Sequence, residues 1–231
     1  MTLKEALDAF GIALENLNLA ARSDEKTPLQ NALALSEVEE DFAVSEESED
    51  VIVFADIDKF KNINTLYKQY AGDVAINEVG KLIKKEFVEN FQARAFRISG
   101  DEFVLLFHQN SLSEFKSRTT LFEECPVSFF DSESAEEKTF TVKVSFGIAL
   151  NDADCDFQTL RGRAELACKK AKTLLNQRFF EWTPELERNK TNDFRVTCPN
   201  CETIISCDVP QSKGEIKTLH CPICDNYVAI E

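Results

Sequence analysis

Positive charge is what this chain has least of: 26 Lys and Arg stand against 41 Asp and Glu, a formal net charge of −15. Binding along a phosphate backbone needs a basic surface, so this balance argues against a general nucleic-acid binder; the excess acid serves solubility. Long apolar runs are missing as well. No stretch reaches the roughly 18 uninterrupted apolar residues of a membrane-spanning helix. The opening Met1-Thr2-Leu3-Lys4-Glu5 has neither the basic n-region nor the apolar run of a signal peptide. A soluble cytoplasmic protein with no membrane partner is therefore expected. Cysteine occurs eight times, but Cys125, Cys155, Cys168 and Cys207 are scattered without regular spacing, which fits reduced thiols rather than a disulfide framework. What the chain does have is size and apolar content: 231 residues, 43% hydrophobic, with 19 Phe, enough for one sizeable core and a small appendage.

The first segment, Leu3 to about Arg22, places Leu3, Leu7, Phe10, Leu14, Leu17 and Ala21 at alternating four- and three-residue spacing. Such a seam belongs either to a short coiled coil or to a helix packed on the chain's own core. From Glu37 to Asp50 eight acidic residues occur with no basic one, read as a solvated helix end and loop. The loop leads to Val51-Ile52-Val53-Phe54-Ala55, a buried strand by composition. Two helical stretches follow at about 59–69 and 72–90. Strands at 93–98 and 102–107, joined by Ser99-Gly100-Asp101, read as a hairpin. A helix at about 112–124, a strand pair at 126–130 and 140–150, and a helix at about 157–176 complete the domain. Helices alternating with strands and hairpins predict an α+β sheet with helices packed on it.

Two acidic motifs carry the chemistry. Phe54-Ala55-Asp56-Ile57-Asp58 and Arg97-Ile98-Ser99-Gly100-Asp101-Glu102-Phe103 each place carboxylates at the end of a strand or at its turn. Carboxylates so placed can hold hard divalent cations where a glycine lets the backbone approach a phosphate, the arrangement needed for nucleotidyl transfer.

Residues from about Ser23 to Phe180 resemble a GGDEF domain, the catalytic domain of diguanylate cyclases. Asp24-Glu25-Lys26-Thr27-Pro28-Leu29-Gln30-Asn31 resembles the family's opening D-x-L-T-x-L-x-N, with Lys26 at the leucine position. Asp56-Ile57-Asp58-Lys59-Phe60-Lys61-Asn62-Ile63-Asn64 resembles D-x-D-x-F-K-x-x-N. Gly72-Asp73, Val144-Ser145-Phe146-Gly147-Ile148-Ala149 and the Ala164-Glu165 to Ala171-Lys172 helix follow in the family's order. The resemblance implies a palm-like, nucleotidyl-cyclase-like sheet flanked by helices. It also implies a Mg²⁺ or Mn²⁺ site at Asp56, the Ile57 carbonyl and Asp101, with Glu102 as a further catalytic carboxylate. Asn64 and Asp73 match the guanine-reading positions, where an amide and a carboxylate suit the donors and acceptors of that base. Lys172 would meet the terminal phosphates, with Lys61 assisting, and Phe60, Ser99 and Gly100 would complete the substrate site. Departures also stand out. Ser99 replaces the first turn glycine, Leu175-Asn176-Gln177 replaces a G-R-N segment unless Arg178 supplies the arginine, and the R-x-x-D product-inhibition motif is absent at Asn90 and Ala93.

Beyond about Arg188, Cys198-Pro199-Asn200-Cys201 and Cys221-Pro222-Ile223-Cys224 form a C-x2-C-x19-C-x2-C pattern. That spacing predicts a tetrahedral Zn²⁺ site of the zinc-ribbon type on Cys198, Cys201, Cys221 and Cys224, a staple that so short a segment needs in order to fold. Three basic residues against five acidic ones between Arg195 and Glu231 disfavour nucleic acid as its partner and leave a structural cap, a protein-docking module or a regulator.

The expected organisation is thus an N-terminal helix at 1–22, a candidate dimeriser; a GGDEF domain at 23–187; and a zinc ribbon at 188–231. By resemblance the function is a diguanylate cyclase condensing two GTP into cyclic di-GMP and two pyrophosphates as a homodimer, without the feedback motif. The alternative is a catalytically degenerate GGDEF module that binds GTP or a cyclic dinucleotide and signals through protein contacts.

Overall fold

The computed structural model describes residues 2–42, 51–132, 134–151, 155–175, 177–189, 193–197, 200–201, 204–208, 218–220 and 227–229. They fall into two units, Met1–Trp182 and Thr183–Glu231.

Helix α1 (Leu3–Arg22) opens on a capping box: the Glu5 amide donates to Thr2 Oγ1 at 3.3 Å and the Thr2 amide to Glu5 Oε2 at 2.7 Å. No residue of α1 is buried, and Leu7, Phe10 and Leu17 are each more than 60% exposed. The reading of this seam as part of the chain's own core is therefore corrected. A second helix, α2 (Ala32–Phe42), occupies the ground between the opening motif and the acidic run. Arg22 at the end of α1 forks onto Glu37 of α2, with contacts of 2.6 and 2.7 Å.

Strand β1 (Val51–Ile57) is the middle of a five-stranded sheet, ordered β2-β3-β1-β6-β7. It pairs antiparallel with β3 (Glu102–Phe107) and with β6 (Val144–Leu150). The outer strands are β2 (Arg94–Ser99), antiparallel to β3, and β7 (Phe179–Glu181), parallel to β6. Alternation along β1 explains its unbroken apolar run. Val51, Val53, Ala55 and Ile57 enter one core while Ile52 and Phe54 enter another on the opposite face. The first core holds Phe87, Phe115, Phe122 and Phe146 in mutual ring contact, with centroids 4.8–5.9 Å apart. The second is closed by α2 and by α6 (Phe157–Ala171).

Several boundaries differ from the sequence reading. The two helical stretches expected at 59–69 and 72–90 are present and follow one another in α3 (Phe60–Ile83) across a break at Lys68, which takes φ 70° and ψ 171°; the break comes a little earlier than expected, and the second stretch continues through a π-helical turn (Lys84–Val88) and a short α4 (Glu89–Phe91). Helix α5 (Leu112–Arg118) tightens at its end into a 3₁₀ turn, Thr119–Phe122. The strand expected at 140–150 is two. β5 (Glu136–Val142) pairs with β4 (Cys125–Asp131) in a separate hairpin, and the chain crosses at Lys143 to enter β6. Helix α6 stops at Ala171, so Lys172 is its cap and not an interior residue.

In the second unit, α7 (Pro184–Asn189) precedes two hairpins, β8–β9 (Asp193–Thr197 with Ile204–Asp208) and β10–β11 (Thr218–His220 with Tyr227–Ala229). Of the four expected zinc ligands only Cys201 is among the described residues; Cys198, Cys221 and Cys224 lie outside them. No helix among the described residues is long and apolar enough to cross a membrane.

Candidate active site

The β1–β3 register sets Asp56 opposite Glu102, and the turn before β3 brings Asp101 beside them; the Ile57 amide donates to the Asp101 carbonyl at 3.3 Å. Gly100 turns the chain with φ 41°, in the left-handed region that glycine enters at no cost. Ser99 is not among the residues with positive φ, so a side chain fits there without backbone strain. Its hydroxyl donates to Glu102 Oε2 at 2.6 Å. Arg97 braces the turn from behind, through Nε to the Gly100 carbonyl at 3.0 Å and Nη1 to Asp24 Oδ2 at 2.8 Å.

Asp56 and Asp101 lie within hydrogen-bond reach of each other, partly buried. Burial, and then the charge of Asp56, push the Asp101 carboxyl up to about 6. Burial also raises Asp56, against the pull of Lys172, whose Nζ is 2.5 Å from Asp56 Oδ1. Burial is the largest influence on Lys172 and works against its charge, but the hydrogen bond to Asp56 and the negative charges of Asp56 and Asp58 together outweigh it, and its pKa lies above the ordinary lysine value. Two oxygen-donor groups with one ammonium between them are short of positive charge, which is the condition a hard divalent cation relieves. Among the described residues no three His, Cys, Asp or Glu side chains gather as a metal cage. Mg²⁺ needs none, since it is held by one or two carboxylates together with substrate phosphates.

The base-reading candidates meet on α3. An added Cβ on Gly72 would fall 2.0 Å from Asn64 Oδ1 and 3.1 Å from Phe60 Cζ, so this glycine is what allows the first turns of α3 to close on Gly72-Asp73. Asn64 Oδ1 is buried without a hydrogen-bond partner, an acceptor waiting for a donor. Asp73 Oδ1 is 2.6 Å from Lys26 Nζ. Lys61 is exposed near the start of α3.

Two residues of the neighbourhood are committed elsewhere. Arg178, only 5% exposed, bonds Asp58 Oδ2 at 2.9 Å and the Leu174 carbonyl at 3.1 Å, and lies 2.7 Å from Glu123 Oε2. It is therefore not a substitute phosphate arginine. Asp58, the second acid of the D-x-D pattern, is held between Arg178 and the Ser145 hydroxyl at 2.7 Å and acts as a structural clamp. The roles of Lys26, Arg97 and Arg178 were missed in the sequence; only the odd lysine within the opening motif signalled one of them.

With this geometry stands a family. Residues 21–178 match the family described as "Diguanylate cyclase, GGDEF domain", more than half of the chain, and the chain belongs to it. It is 30% identical over 123 residues to diguanylate cyclase A of Treponema denticola, a match spanning 51% of this chain and 30% of that protein. It is 29% identical over 89 residues to the probable diguanylate cyclase DgcI of Escherichia coli, spanning 38% and 20%. The chain thus matches less than a third of either relative's length. Among solved structures, the coiled coil and GGDEF domain of DgcB from Caulobacter crescentus, in complex with c-di-GMP, shares the fold with a TM-score of 0.63 at 21% identity. That match covers 77% of this chain and 94% of that one.

Proposed function

We propose that this chain is a diguanylate cyclase, condensing two GTP into cyclic di-GMP with release of two pyrophosphates. The observation that carries the reading is the meeting of Asp56, Asp101 and Lys172 at the sheet's turn edge. In each half-reaction a 3′-hydroxyl oxygen forms a bond to the α-phosphorus of the other nucleotide, the bond to the β-phosphate bridge breaks, and pyrophosphate leaves with its electron pair. Asp101 is the residue we assign to the hydroxyl proton. Asp56, the Ile57 carbonyl and Asp101 would hold Mg²⁺ or Mn²⁺, with Glu102 beside them. When bound, such a cation neutralises the triphosphate and lowers the pKa of the attacking hydroxyl. Lys172 exchanges its carboxylate for the terminal phosphates, and Asn64, Asp73 and Phe60 hold the base. Lys61, Ser99 and Gly100 line the approach.

One site holds one GTP in this mechanism, so two chains must face each other. The apolar seam of α1, exposed along its whole length, supports a homodimer formed through that helix. For the second unit we propose a structural Zn²⁺ on Cys198, Cys201, Cys221 and Cys224. Supporting it, each CxxC falls between the two strands of one hairpin, the first between Thr197 and Ile204 and the second between His220 and Tyr227. One zinc per chain by elemental analysis, lost in Cys201→Ser, is the expected result.

The commitment of Arg178 to Asp58 and Glu123 thins the phosphate contacts and favours, as a second reading, a degenerate module that binds nucleotide without turnover. Incubation with GTP, and separately ATP, in Mg²⁺, with products identified by mass spectrometry, decides between them. Cyclic di-GMP made by the wild type and absent with Asp101→Ala establishes the cyclase; bound GTP without product establishes the degenerate module.

A further inference from the structure

Resting on the nucleotide-site reading, we infer that Lys26 is a specificity-determining residue of the base pocket, forming with Asp73 a donor–acceptor pair that selects a 6-oxopurine. The family pattern has an apolar leucine at this position, and a lysine there changes what the pocket can recognise. Its placement is fixed by several bonds. The Asp24 carboxylate accepts from the amides of Lys26 and Thr27 at 3.1 and 2.8 Å, and Asn77 Nδ2 donates to the Lys26 carbonyl at 2.6 Å. Gly80 lets the loop lie directly on α3, since a Cβ there would fall 2.7 Å from Thr27 Cβ. Asp73, Asn77 and Gly80, spaced by four and three, are one face of α3, and the loop of Lys26 runs along it.

The ammonium spends one of its three donors on Asp73 Oδ1. Both side chains keep nearly two-fifths of their surface exposed, at 39% and 38%, so the pair faces solvent and a ligand can share it. An ion pair this exposed is weakly held and does not lock the site. The bond from Lys26 goes to Asp73 Oδ1, and the unpartnered Asn64 Oδ1 adjoins Gly72 in the same wall.

A 6-oxopurine offers an acceptor, O6, next to a donor, N1–H. The Asp73 carboxylate accepts the N–H while the Lys26 ammonium donates to O6. Adenine reverses both atoms: its unprotonated N1 would face the carboxylate and its amino group the ammonium. Polar groups left facing their own kind are the strongest source of discrimination a pocket has.

The test is nucleotide affinity of the full chain for GTP, ITP and ATP, measured by calorimetry with Ca²⁺ as the supporting cation, for the wild type and for Lys26→Met and Lys26→Gln. ITP has O6 and N1–H but no 2-amino group. Lys26→Met is expected to weaken GTP and ITP by about tenfold and ATP by less than threefold, narrowing the preference; Lys26→Gln, which keeps a neutral donor, falls between. An equal loss for all three nucleotides would mean only general attraction to the triphosphate and overturns the inference. Unchanged or tighter GTP binding in Lys26→Met would mean that the lysine masks Asp73, and overturns it too. Wild-type protein that binds none of the three refutes the nucleotide site itself, a separate failure from either.

Discussion

Asp101 carries a pH dependence that can be worked out from its surroundings. Its carboxyl is pushed up to about 6 by burial and by Asp56, and a divalent cation binds only the ionised form. A group with that pKa is about 90% protonated at pH 5 and about 10% at pH 7. The apparent affinity for Mn²⁺ alone, without nucleotide, should therefore fall about tenfold from pH 7 to pH 5, with most of the loss below pH 6. The assay is calorimetric or thermal-shift titration with Mn²⁺ across that range. Leaving the nucleotide out keeps its own phosphate titration from intruding. In Asp101→Asn the tenfold slope should flatten. A second consequence concerns metal-free stability. In the unfolded chain this carboxyl titrates near 3.8, so the folded state binds its proton more tightly. Stability from this group is thus greatest below pH 4, declines as the pH rises towards 6, and is restored by metal above it. An Mn²⁺ affinity constant between pH 5 and pH 7 would refute the burial of Asp101 beside Asp56.

Replacing Arg178 by Met strands Asp58 without its cation in a nearly closed site, and should cost about 3 kcal/mol, or roughly 10 °C in Tm by calorimetry. Full stability with weakened GTP binding would instead make Arg178 a phosphate ligand. A Cβ on Gly147 would fall 1.9 Å from the Ala164 carbonyl oxygen, so Gly147→Ala should lose about 2 kcal/mol in denaturant unfolding and displace the end of α6 that carries Lys172. Gly100→Ala puts a side chain at φ 41° and should lose about 1 kcal/mol, read in the same way. Ser99→Gly removes the bond to Glu102 but no strain, and its expected effect on Tm is within about 2 °C.

The meeting of Asp56, Asp101 and Glu102 and the closing of Asn64 on Gly72-Asp73 were legible because each rests on a local pattern, an acid at a strand end or a glycine at a turn; that Lys172 ends α6 was not, since the apolar period runs on past it. What escaped the sequence depends on partners far away in the chain. Arg178 reads as an exposed cation near a missing phosphate arginine, and only the packing of β7 against β6 puts it beside Asp58, 120 residues earlier. The division of 136–150 into β5 and β6 was hidden because both strands are β-branched and aromatic and nothing but Lys143 marks the crossing. Helix α2 was partly obscured because its second half runs into the acidic stretch that begins at Glu37. The α1 seam was visible as a period, but its freedom from the core could be seen only once no residue of it proved buried.

The carboxylate edge and the proposed base pocket belong to different elements, yet one loop anchors both. Asp24 accepts from Arg97, and Arg97 holds the Gly100 carbonyl and so the turn that presents Asp101. The same Asp24 fixes the backbone of Lys26, whose ammonium meets Asp73. At its two ends the loop is tied to α1 and α2, by Asn31, which donates to the Ala21 carbonyl at 2.8 Å, and by the Arg22–Glu37 fork. Arg97 and Asp24 are 13% and 11% exposed, so their pair is sheltered and removing one partner leaves a charge poorly solvated. Asp24→Ala should therefore injure two functions at once, loosening the metal turn and releasing Lys26 from the base edge. Loss of Mn²⁺ affinity together with a narrowed GTP-to-ATP preference is the expected signature. Loss of either alone would show that the two halves of the site are positioned independently.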